Sequence, residues 1–560
     1  MNWNNHPRPQ MKREDFFIIK NNWTLQEEKI VMPFPPQSKL SEYEGQVGTT
    51  LEYKTEFGVP KTFEKERILL HFGAVDQVAK VWVNGMEVGS HEGGYLPFSF
   101  DITDMVDRGK INLLRVEVTD TLSQLYPYGK QSKNPGGMWY TPVSGIWQNV
   151  WLENVPAQYI TDSKLKPDLE GIDIFLEGEI ESFDAVVMLD ENLEVTFSFE
   201  GKEGRIQLKD FLLPDGTVYE PIHWTPENPH LYEMKIVAGK DTIDSYFALR
   251  TISVEKKAGI NRVCLNHQPV FMHGVLDQGY YQDGIFLPKD EEEYEKDVLR
   301  MKELGFNMLR KHIKIEPECF YYYCDKHGML VVQDMVNNGP YSYFFDTVLP
   351  TIGFKKKKDT NNKKAEPGYT HRDRKDMFQG CMLDTLKHLF NHPCVVVYTI
   401  FNEGLGQFDS DMLYDMAKQA DDTRLYDSTS GWFAQKNSDF DSEHVYFRTK
   451  DLKVKTRPLF LSECGGYTYL VKEHAYRPEK QYGYGKCEDS SALTKRITEM
   501  YEKMVLPGIS KGVCGCVYTQ LSDVEEEING MYTYDREVCK VEKEPMQMLS
   551  KRIRTAIDSV

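Results

Sequence analysis

The first 250 residues contain many short segments in which apolar and polar residues alternate. Residues 114–118 and 193–199 alternate in this way, and a period of two is typical of a strand with one buried face. Two further alternating runs within 80–89 are joined by Asn84-Gly85, a pair that favours a type I′ hairpin turn. Many short strands separated by turns predict a sandwich or a jelly roll. We therefore predict a jelly-roll domain over residues 1–156 and an immunoglobulin-like β-sandwich of about 100 residues over 157–254.

The pattern changes after residue 255, where continuous apolar runs alternate with longer charged, helix-like stretches. A continuous apolar run predicts a strand that is buried on both faces, as in a parallel sheet. The predicted strands cover 270–275, 306–310, 329–334, 394–402, 426–432, 444–447, 458–463 and 513–520. The predicted helices cover 290–304, 317–327, 377–390, 411–421, 493–505 and 544–557. Eight strands alternating with helices predict a (β/α)8 barrel over residues 255–560.

Charge and composition narrow the class of partner. The 67 basic and 86 acidic residues give a net charge of −19, which argues against nucleic acid because phosphate binding needs a basic surface. No segment approaches the roughly 20 apolar residues of a membrane span, and the first residues lack the apolar core of a secretory signal. We expect a cytoplasmic protein with no membrane partner, unless a signal peptide has been removed. The ten cysteines begin only at Cys264, and we expect buried, reduced thiols and no metal site.

Two of the predicted barrel strands end on a glutamate. The run 395–401 leads into Asn402-Glu403-Gly404, and the run 458–462 leads into Glu463. Barrel enzymes keep their chemistry at the carboxyl ends of the strands. Two carboxylates at this end of the barrel predict an acid and a nucleophile that face one glycosidic bond.

One predicted connection, residues 336–370, is unusually long and contains lysine runs at 355–358 and 363–364. A loop of this length is either functional or mobile. It follows the third barrel strand and therefore lies on the catalytic face, where it could narrow the pocket. The alternative is a solvated excursion with no role in binding.

Four segments together resemble glycoside hydrolase family 2, which includes β-galactosidases, β-glucuronidases and β-mannosidases. Residues 6–10 resemble the first segment of the jelly-roll domain of this family, and 137–148 resemble its signature in that domain. Residues 400–403 match its Asn-Glu acid/base motif, and 460–463 match the position of its nucleophile. The order jelly roll, sandwich, barrel is also the order of the family. The resemblance covers essentially the whole chain and implies a retaining exo-β-glycosidase.

The resemblance also implies roles for individual residues. Glu403 is expected to be the general acid and base, and Glu463 the nucleophile. Asn402 is expected to bind the sugar 2-hydroxyl, and Arg310 to hold the nucleophile ionised. His312 shares a strand face with Arg310 and resembles a ligand of sugar hydroxyls, although a structural histidine is nearly as plausible.

Weaker candidates for substrate binding follow from positions at strand ends. Asp277 is a candidate acceptor of sugar hydroxyls, Trp432 a candidate platform under the sugar ring, and Tyr446 a candidate donor to the nucleophile. For each candidate, core packing or loop support is the alternative. The remaining candidates are His444 and Gln520. Residues 525–527, three consecutive glutamates, are expected to form a solvated acidic loop.

The segment Asn529-Gly530-Met531 bears on the identity of the sugar. β-Glucuronidases of the family carry an Asn-x-Lys pair here that clamps the uronate, whereas this chain has no cation at the third position. A buried carboxylate without a partner is costly. We therefore predict a β-linked neutral sugar, such as galactose, with a glucuronide as the alternative and a non-catalytic carbohydrate-binding protein as the alternative of another class. No cofactor is expected, and a homo-oligomer is compatible with the exposed sandwich edges.

Overall fold

The computed structural model describes residues 2–190, 192–213, 215–351, 354, 359 and 368–560. The N-terminal region is a two-sheet jelly roll whose strands alternate buried and exposed residues, as the sequence predicts. Its sheets have the strand orders β1-β12-β5-β9 and β3-β2-β4-β10-β7-β8, with a small pair β11-β6. The strands are β1 Phe16–Ile18, β2 Thr24–Leu25, β3 Glu28–Lys29, β4 Thr50–Gly58, β5 Arg67–Phe72, β6 Val75–Asp76, β7 Val78–Val83, β8 Met86–Glu92, β9 Phe98–Asp101, β10 Ile111–Thr119, β11 Gly145–Ile146 and β12 Val150–Val155.

The predicted Asn84-Gly85 hairpin is confirmed. It joins β7 to β8, and both turn residues have positive φ, 51° for Asn84 and 81° for Gly85. This is the conformation that a type I′ turn requires.

A second antiparallel sandwich follows, with its own apolar core between two sheets. The sheet orders are β13-β14-β17 and β16-β15-β18-β19, and a small three-stranded sheet, β20-β21-β22, leads into the barrel. The strands are β13 Ile160–Pro167, β14 Gly171–Gly178, β15 Ser182–Asp190, β16 Leu193–Glu200, β17 Glu203–Gln207, β18 Tyr232–Ala238, β19 Asp241–Phe247, β20 Ile252–Lys257, β21 Ile260–Leu265 and β22 Gln268–Pro269. The division at residues 156 and 254 stays a prediction.

The last region is a barrel of eight parallel strands in the order β27-β26-β25-β24-β23-β30-β29-β28, which confirms the predicted fold class. Its strands are buried along their whole length apart from the start of β28, which explains the continuous apolar runs in the sequence. The strands are β23 Met272–Asp277, β24 Met308–Lys311, β25 Leu330–Asp334, β26 Val395–Asn402, β27 Leu425–Ser430, β28 Asp441–Val445, β29 Leu459–Gly465 and β30 Val513–Thr519.

Helices cover the outside of the barrel. The α-helices are α1 Glu292–Glu303, α2 Glu318–His327, α3 Leu349–Thr351, α4 His371–His388, α5 Ser410–Ala420, α6 Ser490–Met500, α7 Leu506–Ile509 and α8 Lys543–Asp558. Short 3-10 helices cover Lys39–Ser41 and Lys472–His474, and π-helical turns cover Tyr343–Val348 and Tyr501–Val505. Among the described residues, no helix is long and apolar enough to cross a bilayer.

The prediction that residues 336–370 narrow the pocket falls largely outside the described residues. Both lysine runs, 355–358 and 363–364, lie among the positions that are not described. The prediction therefore stays open.

Candidate active site

The fourth barrel strand delivers Glu403 to the barrel mouth. Strand β26 ends at Asn402, and Glu403 follows with a φ of 51°, in the left-handed region. This conformation is uncommon for a residue other than glycine. Here the Glu403 amide donates to the carbonyl of Ser430, 3.0 Å away at the end of the neighbouring strand β27. Because of this turn, Glu403 does not continue the alternating backbone pattern of strand β26.

Glu403 and Glu463 meet at the mouth together with His444. Strands β28 and β29 place His444 directly opposite Glu463. One carboxylate oxygen of each glutamate and one imidazole nitrogen all lie within 4.8 Å of one another. The Nδ1 atom of His444 lies 2.7 Å from Oε1 of Glu403 and 3.3 Å from Oε2 of Glu463. The other ring nitrogen lies 3.0 Å from the Ser430 hydroxyl, so the ring is held from both sides.

Arg310 is fully buried on β24 and uses its guanidinium to join four groups. It donates to Asp334 at 2.9 Å, to the Ser462 carbonyl at 2.9 Å, to Glu463 at 3.1 Å and to the Asn402 side chain at 2.8 Å. The planar fork of an arginine suits this arrangement, which a lysine could not reproduce. The bond to Asn402 is accepted by Oδ1, so it uses the acceptor of the Asn402 side chain and not its NH2 donor.

Asp334 was missed by the sequence analysis and is central to this arrangement. Its second carboxylate oxygen lies 2.8 Å from Nδ1 of His312. Burial lowers the pKa of His312 to about 3 despite the bond to Asp334, so the ring is neutral at physiological pH. Asp334 ends strand β25, and a carboxylate at the end of a buried strand is the same signal that identified Glu403 and Glu463.

Tyr446 donates its hydroxyl to Oε2 of Glu463 and stacks on Tyr484 with ring centroids 4.0 Å apart. The pKa of Glu463 is raised above 4.5 because burial and the nearby Glu403 charge outweigh opposing groups. Those opposing groups, His444, Arg310 and Tyr446, favour the carboxylate form. The ionisation of Glu463 therefore depends on the donors around it.

The other predicted residues lie around the same mouth with different partners. Trp432 lies two residues beyond β27, donates its indole N–H to the Glu403 carbonyl at 3.0 Å and meets the His444 ring edge-on. Asp277 ends β23 and accepts from the buried Lys311 at 2.6 Å. Gln520 is fully buried and donates to the Asn529 side chain at 2.8 Å. Their proposed contacts with sugar stay predictions.

The expectation of a solvated acidic loop at residues 525–527 is wrong. The three glutamates are only 5%, 9% and 3% exposed. Glu525 accepts from the Thr141 amide at 2.8 Å, and Glu527 accepts from the Tyr140 hydroxyl at 2.5 Å. Both partners belong to the jelly roll and lie more than 380 positions away in the sequence. The acidic run therefore fastens a jelly-roll loop to the barrel.

Glu403, His444 and Glu463 are close enough to be considered as metal ligands. The 2.7 Å between His444 Nδ1 and Glu403 Oε1 is a hydrogen-bond distance. Two ligands of one tetrahedral ion with bonds of about 2.0–2.1 Å would lie about 3.3 Å apart. The geometry fits a proton-sharing cluster better than an ion site. A second group, His474, Asp535 and Glu537, lies on the loops that follow β29 and β30 and is partly exposed.

Comparison with known families agrees with this architecture. Residues 21–156 match the model described as glycosyl hydrolases family 2, sugar binding domain. Residues 255–503 match the model described as glycosyl hydrolases family 2, TIM barrel domain. The chain belongs to glycosyl hydrolase family 2, and this confirms the resemblance inferred from the sequence.

Individual relatives are distant. A β-galactosidase of Thermoanaerobacter pseudethanolicus is 25% identical over 375 residues, 64% of this chain and 45% of the relative. A β-glucuronidase of Paenibacillus borealis is 24% identical over 409 residues, 67% of this chain and 62% of the relative. The chain thus spans between 45% and 62% of the length of these two relatives. The solved structure of a β-D-glucuronidase from Dictyoglomus thermophilum superposes with a TM-score of 0.74 at 18% identity, covering 97% of this chain and 98% of the other, and shares the fold.

Proposed function

We propose that the chain is a retaining exo-β-glycosidase that releases a terminal sugar in two displacement steps. The observation that carries this proposal is the distance between the carboxylates of Glu403 and Glu463, whose oxygens lie within 4.8 Å. Retaining enzymes hold their two carboxyl groups about 5–5.5 Å apart, whereas inverting enzymes need about 6.5–9.5 Å to admit a water. The short separation supports a covalent intermediate.

The surroundings of the two glutamates support different roles. The Glu463 side chain is 5% exposed and pairs with Arg310, which favours a carboxylate ready to attack. The Glu403 side chain is 14% exposed, and a general acid needs to exchange its proton with solvent in every cycle. We therefore assign the nucleophile to Glu463 and the acid and base to Glu403.

Glu463 and Glu403 together account for the bonds and protons that change in the proposed reaction. In the first step Glu463 attacks the anomeric carbon, the bond to the glycosidic oxygen breaks, and Glu403 gives its proton to that oxygen. In the second step Glu403 takes a proton from water, the water oxygen attacks the anomeric carbon, and Glu463 leaves as a carboxylate. The Asn402 amide, held by Arg310, is positioned to donate to a sugar hydroxyl as charge develops in the transition state.

Two sugar classes are candidates. The absence of a lysine in Asn529-Gly530-Met531 favours a neutral sugar, as the sequence predicts, and the Thermoanaerobacter relative is named a β-galactosidase. A uronide is the second candidate, because the Paenibacillus relative and the Dictyoglomus structure are named β-glucuronidases. The two candidates differ in one negative charge, so the cations around the pocket bear on the choice.

An experiment with two variants tests both roles. A dinitrophenyl glycoside needs no acid to leave, so Glu403→Gln should still transfer the sugar to the protein and accumulate a glycosyl-enzyme. Glu463→Gln should form none, and its kcat should fall by a factor of at least about 10⁴. Intact mass spectrometry detects the adduct. A labelled Glu463→Gln protein, or a chain that binds sugars without any turnover, would contradict the proposal; the exposed Glu473→Gln is the control.

A further inference from the structure

Among the residues that the structure describes, several buried cations around the barrel mouth are bound by oxygen atoms of the protein. Lys311 donates to Asp277 and Glu316, and Lys314 donates to Glu316 and two carbonyls. Arg310 and Lys540 each pair with an aspartate. These four side chains are committed to holding the barrel loops. Lys130, which comes from the jelly roll, differs from these four.

The backbone around Lys130 lies directly over the carboxyl ends of two barrel strands. The amide of Tyr128 donates to the Asn337 carbonyl at 3.0 Å, in the segment that follows β25. A Cβ atom on Gly129 would come within 2.9 Å of the Ile313 carbonyl, next to His312. The jelly roll therefore inserts this turn against the wall of the pocket that carries His312.

Lys130 is buried, yet its ammonium has no oxygen partner. The residue is 6% exposed, and among the residues that the structure describes its ammonium makes neither a hydrogen bond nor an ion pair. The ammonium lies over the ring of Trp139, 5.4 Å from the ring centroid. The Nζ atom keeps some accessible surface, and a bound anionic group there would supply the ion pair that this largely buried cation lacks.

The charge of Lys130 acts on two residues at the carboxyl end of the barrel, His312 and Glu527. Its positive charge is among the influences that lower the pKa of His312, after burial. It also opposes the rise in pKa that burial gives Glu527. The Glu527 carboxylate accepts hydrogen bonds from Tyr140 and Asn529, and among the described contacts it makes neither a hydrogen bond nor an ion pair with the Lys130 ammonium.

We propose that Lys130 determines the specificity of the pocket by binding an anionic substituent of the sugar, in the first place the carboxylate of a uronic acid. The proposal rests on the proposed glycosidase function and deepens it. It gives the chain a uronate-binding cation from the jelly roll in place of the one that Asn529-Gly530-Met531 lacks. It therefore runs against the neutral sugar that the sequence predicts. A sulfate ester on the sugar offers the same chemistry and is the second source of such a group.

The experiment uses the whole chain and two independent measurements. The first is kcat/KM for nitrophenyl β-glucuronide, β-galacturonide, β-galactoside and 6-sulfated β-galactoside. The second is binding of D-glucuronate by calorimetry, which needs no turnover. The variants are Lys130→Met, which keeps the length of the side chain without its charge, and Lys130→Arg, which keeps the charge. Lys133→Met, an exposed lysine in the same loop, is the matched control.

We expect Lys130→Met to lower kcat/KM for a uronide by about 100-fold, the size of one buried charge-assisted hydrogen bond. D-glucuronate affinity should fall in parallel, while the β-galactoside rate stays within about threefold. Lys130→Arg and Lys133→Met should keep uronide hydrolysis within about tenfold. If the 6-sulfated galactoside replaces the uronides as the substrate that depends on Lys130, the anion site is supported and its source is the sulfate.

Other results overturn the inference. These are an equal loss on uronide and galactoside, no change in the uronide rate, or failure of the wild-type protein to bind or cleave any of the anionic sugars. Failure of the proposed function can be told apart from failure of this inference, because a chain that cleaves no glycoside can still bind D-glucuronate through Lys130. Melting curves of the variants distinguish a local effect from unfolding.

Discussion

At the scale of single residues, the site is organised around the charge of Glu463. Burial and Glu403 raise the pKa of this carboxyl, while the charges of His444 and Arg310 and the bond from Tyr446 oppose the rise. A nucleophile acts only as the anion, so the rate falls as pH drops through its pKa. The raised pKa predicts an acid limb of kcat/KM above pH 4.5, the ordinary value for a glutamate.

Removing one donor should move that acid limb. In Tyr446→Phe the hydrogen bond that favours the Glu463 carboxylate is lost, so the pKa of Glu463 rises. As the pH is lowered, the variant should therefore lose activity earlier, at a higher pH, than the wild type. We also expect kcat to fall by about 100-fold, as for other single donors to a reacting group. The measurement is a pH profile of kcat/KM. Tyr484→Phe is the control, because Tyr484 stacks on Tyr446 and its recorded hydroxyl partner is Tyr482, not Glu463; an equal shift in both variants would argue against the assignment.

Whether the role of a residue could be predicted from the sequence depends on where its partners lie along the chain. Glu403 and Glu463 were found because each follows a buried apolar run near the carboxyl end of a strand, and Asp334 carried the same signal without being recognised. Glu525 and Glu527 were misread, since a run of charge is usually solvated and its partners Thr141 and Tyr140 come from a distant domain. Lys130 lay outside prediction for the same reason.

At the scale of elements, one jelly-roll loop packs against the barrel segment that contains the acidic run. Residues 136–141 are fastened by the acidic run, with Gly137 donating to Glu526 at 3.3 Å and Tyr140 donating to Glu527 at 2.5 Å. The same loop pairs with the backbone of Lys130, because the Tyr140 amide donates to its carbonyl at 3.0 Å. The acidic run thus fixes the loop that pairs with the backbone of the proposed specificity residue, Lys130.

This fastening predicts a particular effect of Tyr140→Phe. The change leaves a buried carboxylate short of one donor, at a cost of about 1–3 kcal/mol, and it loosens the loop beside the pocket. We expect KM for the best substrate to rise more than kcat falls, measured by steady-state kinetics. Tyr126→Phe is the matched control, since Tyr126 donates to Glu92 within the jelly roll at 3.2 Å. An unchanged KM in Tyr140→Phe would show that the loop does not shape the pocket.

Most element positions could be predicted from the repeat of apolar residues, but the start of one helix could not. The sequence predicted a helix over 377–390, whereas α4 begins at His371. Its first six residues, 371–376, are all polar or charged, so they show no apolar repeat. The start is set instead by a capping box. The Thr370 hydroxyl accepts from the Asp373 amide, and the Asp373 carboxylate accepts from the Thr370 amide.

At the scale of the whole molecule, the N-terminal segment ties the domains together. Arg13 donates to Glu153 of the jelly roll at 2.6 Å and to both carboxylate oxygens of Asp241 in the sandwich, at 3.0 and 2.9 Å. Gln10 donates to the Tyr246 carbonyl and to the Asn391 carbonyl beside the barrel. The segment therefore contacts all three regions, which the sequence showed only as a family resemblance over 6–10.

The buried position of Arg13 predicts a large effect on stability. Removing one partner of a buried charge pair costs about 3–5 kcal/mol, because the other charges stay buried without compensation. In a cooperative unit of 150–250 residues this lowers the melting temperature by about 6–20 °C. We expect Arg13→Met to show this drop in the earliest calorimetric transition, with faster proteolysis near residues 156–160. Arg8→Met is the control, because Arg8 is partly exposed and its carboxylate contacts are longer, 3.5 and 3.7 Å, so it should cost less than about 1 kcal/mol. Equal shifts in the two variants would mean that the Arg13 contacts do not hold the jelly roll to the sandwich.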